Sequence, residues 1–186
     1  IVRRLVGSEM CIRDSIEAWF NLGDVLEKLD QLEKSINAYE KVIELNPNSV
    51  PGLTNLGCVL TEVGRFETAI RAFERSIEIE PTFPPTYMNL GNAHKYAGDM
   101  VQAIAAYSEA VRLAPDYADA RYNLGANLSL TGDFAEAERM LVSALELRPK
   151  LTRAKFALGA AYIGLEKVDA AVALCNEAPD DSCEMF

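Results

Sequence analysis

The triplet Asn-Leu-Gly occurs four times, at Asn21-Leu22-Gly23, Asn55-Leu56-Gly57, Asn89-Leu90-Gly91 and Asn123-Leu124-Gly125, each 34 residues after the last. Pro47, Pro81, Pro115 and Pro149 keep the same interval. A strict period of this length points to a stack of one supersecondary unit, because so short a unit cannot bury its own apolar faces and must cover them with its neighbours. The 186 residues hold about five such units, starting at Ile16, Val50, Pro84, Ala118 and Thr152.

Aligning the units gives each position a physical role. Position 4 holds Trp19, Leu53, Tyr87, Arg121 and Lys155, and position 8 is always glycine, from Gly23 to Gly159. Position 20 holds Ser35, Ala69, Ala103, Ala137 and Ala171; position 24 holds Tyr39, Phe73, Tyr107, Leu141 and Cys175. Small residues recur where two helices approach and large ones where the gap is filled, the alternation expected of paired helices. Positions 4, 7, 8 and 11 share one face at about 100° per residue. Gly64, Gly98 and Gly132, at position 15, suit a left-handed helix end; Asp99 and Asp133 follow as starts for a second helix, and each closing proline stops it. The pattern predicts ten antiparallel helices: A helices near 16–29, 50–63, 84–97, 118–131 and 152–165, and B helices near 32–45, 66–79, 100–113, 134–147 and 168–178.

These residues resemble the tetratricopeptide-repeat (TPR) family, whose signature places large, Leu, Gly and large residues on helix A and Ala, aromatic, Ala and Pro afterwards. The match covers residues 16–178 and weakens in the fifth repeat, where Lys155, Glu166, Cys175 and Cys183 stand in for the aromatic, the turn glycine, the second aromatic and the proline. The resemblance implies an all-α, right-handed α-α superhelix, a solenoid of about five helix-turn-helix units with the A helices lining a concave face. Such a fold implies a scaffold for protein–protein interaction that binds an extended peptide or a partner helix in the groove.

Residues 1–15 lie outside the period, and the run from Val6 to Ser15 resembles translated sequencing-adapter sequence; we read the segment as a non-native leader, the alternative being a native leader or capping helix. Residues 179–186 read as a frayed acidic tail. No polar capping helix follows the fifth repeat, which makes its outer face a candidate for weak self-association.

Charge and composition narrow the function. With 28 acidic against 18 basic residues, the net charge of -10 disfavours nucleic acid and anionic lipid. No apolar run reaches the roughly 20 residues of a membrane span. Cys11, Cys58, Cys175 and Cys183 are scattered and His94 is the one histidine, so neither a zinc site nor a disulfide framework is expected, and the setting read from them is cytoplasmic. No nucleophile recurs beside a base and no phosphate-binding glycine loop follows a strand, so no catalytic residue, metal or cofactor is assigned.

The candidate site lies on the A helices. Position 6 falls about 150° from the buried face, so Asn21, Asn55, Asn89 and Asn123 are expected to point away from the core along one surface. Each amide offers a donor and an acceptor that match a peptide group. The row resembles the asparagine ladder in the repeat domain of O-linked N-acetylglucosamine transferases; Ala157 breaks it in the fifth repeat. The same amides can instead tie neighbouring helices together. Asp24, Glu62, Asn92 and Lys95 complete the assigned site, with Glu17 and Glu27 adding acid near its start and Arg153 adding base further on. Positions 5 and 9 hold Phe20 and Asp24, Thr54 and Cys58, and Met88 and Asn92, so the basic clamp of some family members is absent. The alternatives to a scaffold are a substrate-recruiting piece of a larger enzyme, such as a glycosyltransferase, and a self-assembly element.

Overall fold

The computed structural model describes residues 15–176, which form ten α-helices and no strand. The chain divides into two compact units, Ile1–Gly98 and Asp99–Phe186. The first unit contains α1 (Ile16–Lys28), α2 (Leu32–Leu45), α3 (Val50–Glu62), α4 (Phe66–Ile79) and α5 (Pro84–Ala97). The second contains α6 (Met100–Leu113), α7 (Ala118–Leu130), α8 (Phe134–Leu147), α9 (Thr152–Gly164) and α10 (Val168–Asn176). Within each unit every helix packs on the next in sequence, and the A helices also meet, α3 against α5 and α7 against α9. All ten lie where the periodicity puts them, four of the A helices ending one residue early. Residues 1–14 and the tail lie outside the described residues, whereas Ser15 caps α1 by accepting a hydrogen bond from the Ala18 amide at 3.2 Å.

The pairing of helices rests on the glycine at position 8. A Cβ at Gly23 would fall 2.6 Å from the Tyr39 ring, one at Gly57 would fall 2.6 Å from Phe73, and one at Gly125 would fall 2.7 Å from Leu141. Tyr39, Phe73 and Leu141 are wholly buried. Absence of a side chain on helix A therefore makes the space that the large residue on helix B fills. Ser35 occupies the alanine position in the first repeat, and its hydroxyl is satisfied by donating to the Gly23 carbonyl at 2.9 Å. Thr54, Ser76 and Thr86 form a buried hydroxyl cluster joining α3, α4 and α5, with Oγ1–Oγ and Oγ1–Oγ1 distances of 3.1 and 3.3 Å.

Turn geometry follows the sequence with two informative exceptions. Gly64, Gly98 and Gly132 have φ of 78°, 87° and 87°. The equivalent Asp30 and Glu166 are forced into the same left-handed region, at 57° and 59°, with a Cβ that disfavours it. Asp99 caps α6 through the Gln102 amide, but Asp133 makes no side-chain capping bond to α8. Leu22 is 42% exposed although the equivalent Leu56, Leu124 and Leu158 are buried. Ile163, Val168 and Val172 are also exposed. Asn127 carries the one orphan among the buried side-chain polar atoms described, its Oδ1.

Two substitutions separate close packing from turn strain. Gly57→Ala drives a methyl group into a fully buried ring and is expected to lower unfolding stability by about 2–3 kcal/mol. Glu166→Gly relieves a left-handed residue at an exposed turn and is expected to raise it by about 0.5–1 kcal/mol. Denaturant titration of both variants checks the two signs.

Candidate functional site

In the first unit, α1, α3 and α5 bring their position 9 and 13 side chains to a shared face, joined by Asn55 and Asn89 from position 6 and by Glu27 and Thr61 from position 12. At its start the Tyr39 hydroxyl, rising from the core, donates to Asp24 Oδ1 at 2.6 Å, with Glu27 Oε2 at 3.3 Å. The Asn55 amide nitrogen donates to the same Asp24 Oδ1 at 3.2 Å and to the Tyr39 hydroxyl at 3.3 Å. Burial and the bond to Asp24 push the Tyr39 pKa well above its ordinary value, so the hydroxyl stays protonated.

At Asn55 the amide bonds across helices while the residue still lines the cavities on this face. Position 6 of α3 lies over Asp24, at position 9 of α1, and one amide N–H is shared between Asp24 Oδ1 and the Tyr39 hydroxyl, which themselves stand only 2.6 Å apart. The reading in which asparagine ties helices together holds at Asn55. Its Oδ1 accepts no hydrogen bond among the described residues, which leaves Asn55 its carbonyl oxygen and its second N–H for a ligand. Asn89 is half-buried and makes no side-chain hydrogen bond among those described. Asn21 is exposed and lines none of the cavities described below; Asn123 lies in the second unit, its main-chain carbonyl accepting from Asn127 Nδ2 at 2.7 Å.

Three cavities run along the face of the first unit. One of about 240 Å³ is lined by Asp24, Glu27, Lys28, Asn55 and Cys58. A second of about 440 Å³ has Asn55, Cys58 and Asn89 with Pro51, Phe83 and Pro85. The largest, about 510 Å³, has Cys58, Glu62, Asn89 and Asn92 with Phe66, Phe73 and Tyr96. Cys58 borders all three, Asn55 joins the first two and Asn89 the last two. The cavities are therefore compartments of one groove.

Of the assigned residues, Asn55, Asn89, Asp24, Glu62 and Asn92 thus come together in the first unit. Lys95 is adjacent in sequence to Tyr96, and its ammonium lies 4.5 Å from that ring's centroid. Arg153, read as a basic residue of the surface, is paired with Asp119 and stacked 4.6 Å from the Tyr122 ring, both in the second unit. The sequence reading missed Cys58, Phe66 and Tyr96 as groove residues. Cys58 and Tyr96 occupy positions 9 and 13 of helix A, on the stripe that carries Asp24 and Glu62, so the alignment held their signal.

Electrostatics make the groove acidic. Burial pushes the Cys58 thiol up to about 12, with Glu27 and Glu62 adding to the effect, so it is not a thiolate near neutral pH. His94 is half-buried on α5. No group of three metal-binding side chains occurs among the described residues, and no helix described is long and apolar enough to cross a membrane.

Burial raises the pKa of Glu27 above its ordinary 4.5, and Glu62 and Asp24 push the same way, against the Tyr39 hydrogen bond and Lys28. The folded state then holds this proton more tightly than the unfolded chain, so the contribution to stability is present at low pH and is lost as pH rises through the folded pKa. Glu27→Gln is accordingly expected to stabilise the protein at pH 7, with the difference from wild type shrinking below pH 4.5. Thermal unfolding across pH 3–7 reads the sign; a variant less stable at neutral pH would contradict it.

Tetratricopeptide-repeat models match residues 16–49, 38–71, 84–150 and 128–182. No curated protein matches the chain. Among solved structures, one of MamA is 30% identical with a TM-score of 0.76, covering 82% of this chain and 89% of that one. A second MamA structure is 28% identical with a TM-score of 0.78, over 87% and 88% of the two chains. YrrB, described as a TPR protein with an unusual peptide-binding site, shares the fold at 20% identity, with a TM-score of 0.72 over 88% of this chain and 84% of its own. With the glycine-centred helix pairs, the 34-residue period and these matches in agreement, the chain belongs to the tetratricopeptide-repeat family.

Proposed function

We propose that this protein is an interaction scaffold whose first unit holds an extended peptide along α1, α3 and α5. The observation that carries the reading is the continuity of the three cavities through Asn55, Cys58 and Asn89. An extended chain advances about 3.3 Å per residue and packed helices stand about 8–10 Å apart, so a peptide meets successive A helices roughly every third residue. Asn89 offers both halves of its amide to the ligand's main chain, and Asn55 offers its carbonyl oxygen. The arrangement keeps part of the resemblance to the transferase asparagine ladder, with Asn55 and Asn89 at its centre. YrrB supports the reading as a stack of this fold that carries a peptide site.

Main-chain bonds worth about 0.5–1.5 kcal/mol each, less the cost of ordering the ligand, give weak, micromolar-class affinity. The acidic Asp24, Glu27 and Glu62 favour a ligand with basic character over the first two repeats. Two substitutions distinguish the asparagines. Asn89→Ala is expected to weaken a display-selected peptide about threefold to tenfold with little change in melting temperature. Asn55→Ala removes the clamp on Asp24 and Tyr39 as well, and is expected to lower both affinity and stability. Isothermal titration with parallel melting curves tests this; unchanged affinity in both variants would sink the proposal.

A further inference from the structure

The largest of the three cavities has a chemistry that main-chain recognition leaves unused. Its apolar wall is aromatic: Phe73 forms the floor, while Phe66 and Tyr96 stack with centroids 6.4 Å apart and planes inclined by 23°. Tyr96 is 59% exposed, an unusual position for a large ring beside a 510 Å³ cavity. A volume in the range of small-ligand pockets, about 300–1,000 Å³, accommodates a bulky side chain. Another ring placed against Phe66 and Tyr96 gains offset or edge contacts as well as buried area.

Charge narrows the occupant further. Glu62 lines the same cavity, and Asp24 and Glu27 line the compartment that adjoins it at Cys58. None of these three carboxylates forms an ion pair among the described residues, and their mutual repulsion is part of what raises the Glu27 pKa. Lys95 already covers a face of Tyr96, which directs an incoming cation to the carboxylates rather than to that face. In an extended peptide, residues two apart point to the same side and stand about 6.6 Å from each other.

We propose that the groove selects a peptide with a large aromatic side chain and a lysine or arginine two residues away. The ring enters the cavity between α3, α4 and α5, and the cation reaches the carboxylates of Glu62, Glu27 and Asp24. This specificity rests on the peptide-groove reading and adds a side-chain code to it.

The test uses fluorescein-labelled Ser-Gly-Trp-Ser-Arg-Gly-Ser on the full chain, read by fluorescence anisotropy, beside one peptide with Ala for Trp and one with Glu for Arg. Loss of the indole is expected to weaken binding by about tenfold or more, and charge reversal by about fivefold at low salt. Tyr96→Ala is expected to weaken the parent peptide but not the Ala peptide, and Glu62→Gln to weaken the Arg peptide more than the Glu peptide. Equal binding of the three peptides, or additive effects in both pairings, overturns the side-chain code and leaves the peptide groove standing. A random dodecapeptide display library supplies the control for weak probes. Binders enriched in the aromatic-and-basic pair support the inference, binders without it overturn it, and the absence of any binder overturns both readings.

Discussion

The contact between a glycine on helix A and a large buried side chain on helix B is the constraint on which this structure depends. With no Cβ at Gly23, Gly57 or Gly125, Tyr39, Phe73 and Leu141 come to lie against the backbone of the preceding helix. Everything functional in the first unit follows from that close approach. Packing Tyr39 against Gly23 brings its hydroxyl up between Asp24 and Glu27, and packing Phe73 against Gly57 places a ring beneath the cavity beside Cys58. The same residues that close the core therefore furnish the floor of the groove.

Polar groups at the edge of this packing have divided roles. Asp24, Tyr39 and Asn55 satisfy one another, which fixes the amide of Asn55 and orients its carbonyl oxygen. Among the described residues Glu27 and Glu62 face the same region without a basic partner in an ion pair, so the site retains a negative field. A groove of this kind combines a rigid acceptor, a half-buried amide at Asn89 and aromatic walls. Within it the Cys58 thiol is held protonated by burial and by the carboxylates around it.

The fold was almost wholly legible in the sequence because the determinants repeat. A glycine every 34 residues, a small residue at position 20 and a large one at position 24 report the same helix contact several times, so noise at one repeat, such as Leu141 for an aromatic, does not hide it. The groove was legible only in part. Helical geometry puts Asn55 on the right face, but whether an amide there meets solvent or a neighbour depends on the residue one repeat earlier at position 9, and Asp24 captures it. Periodicity likewise says nothing of cavities: Phe66 opens a B helix, and its stacking with Tyr96 of the next A helix emerges only once the repeats are packed. Arg153 reads as a free cation because its partner Asp119 stands 34 residues away.

The central claim, that the first unit holds an extended peptide across its A helices, is tested most directly by a backbone amide and side-chain NMR shift map of the full chain titrated with a display-selected peptide. Binding in the groove is expected to concentrate the shifts at Asp24, Asn55, Cys58, Asn89, Asn92 and Tyr96, including the side-chain amides of Asn55 and Asn89. Shifts confined to outward-facing residues of α2 and α4, with those amides unmoved, would contradict it.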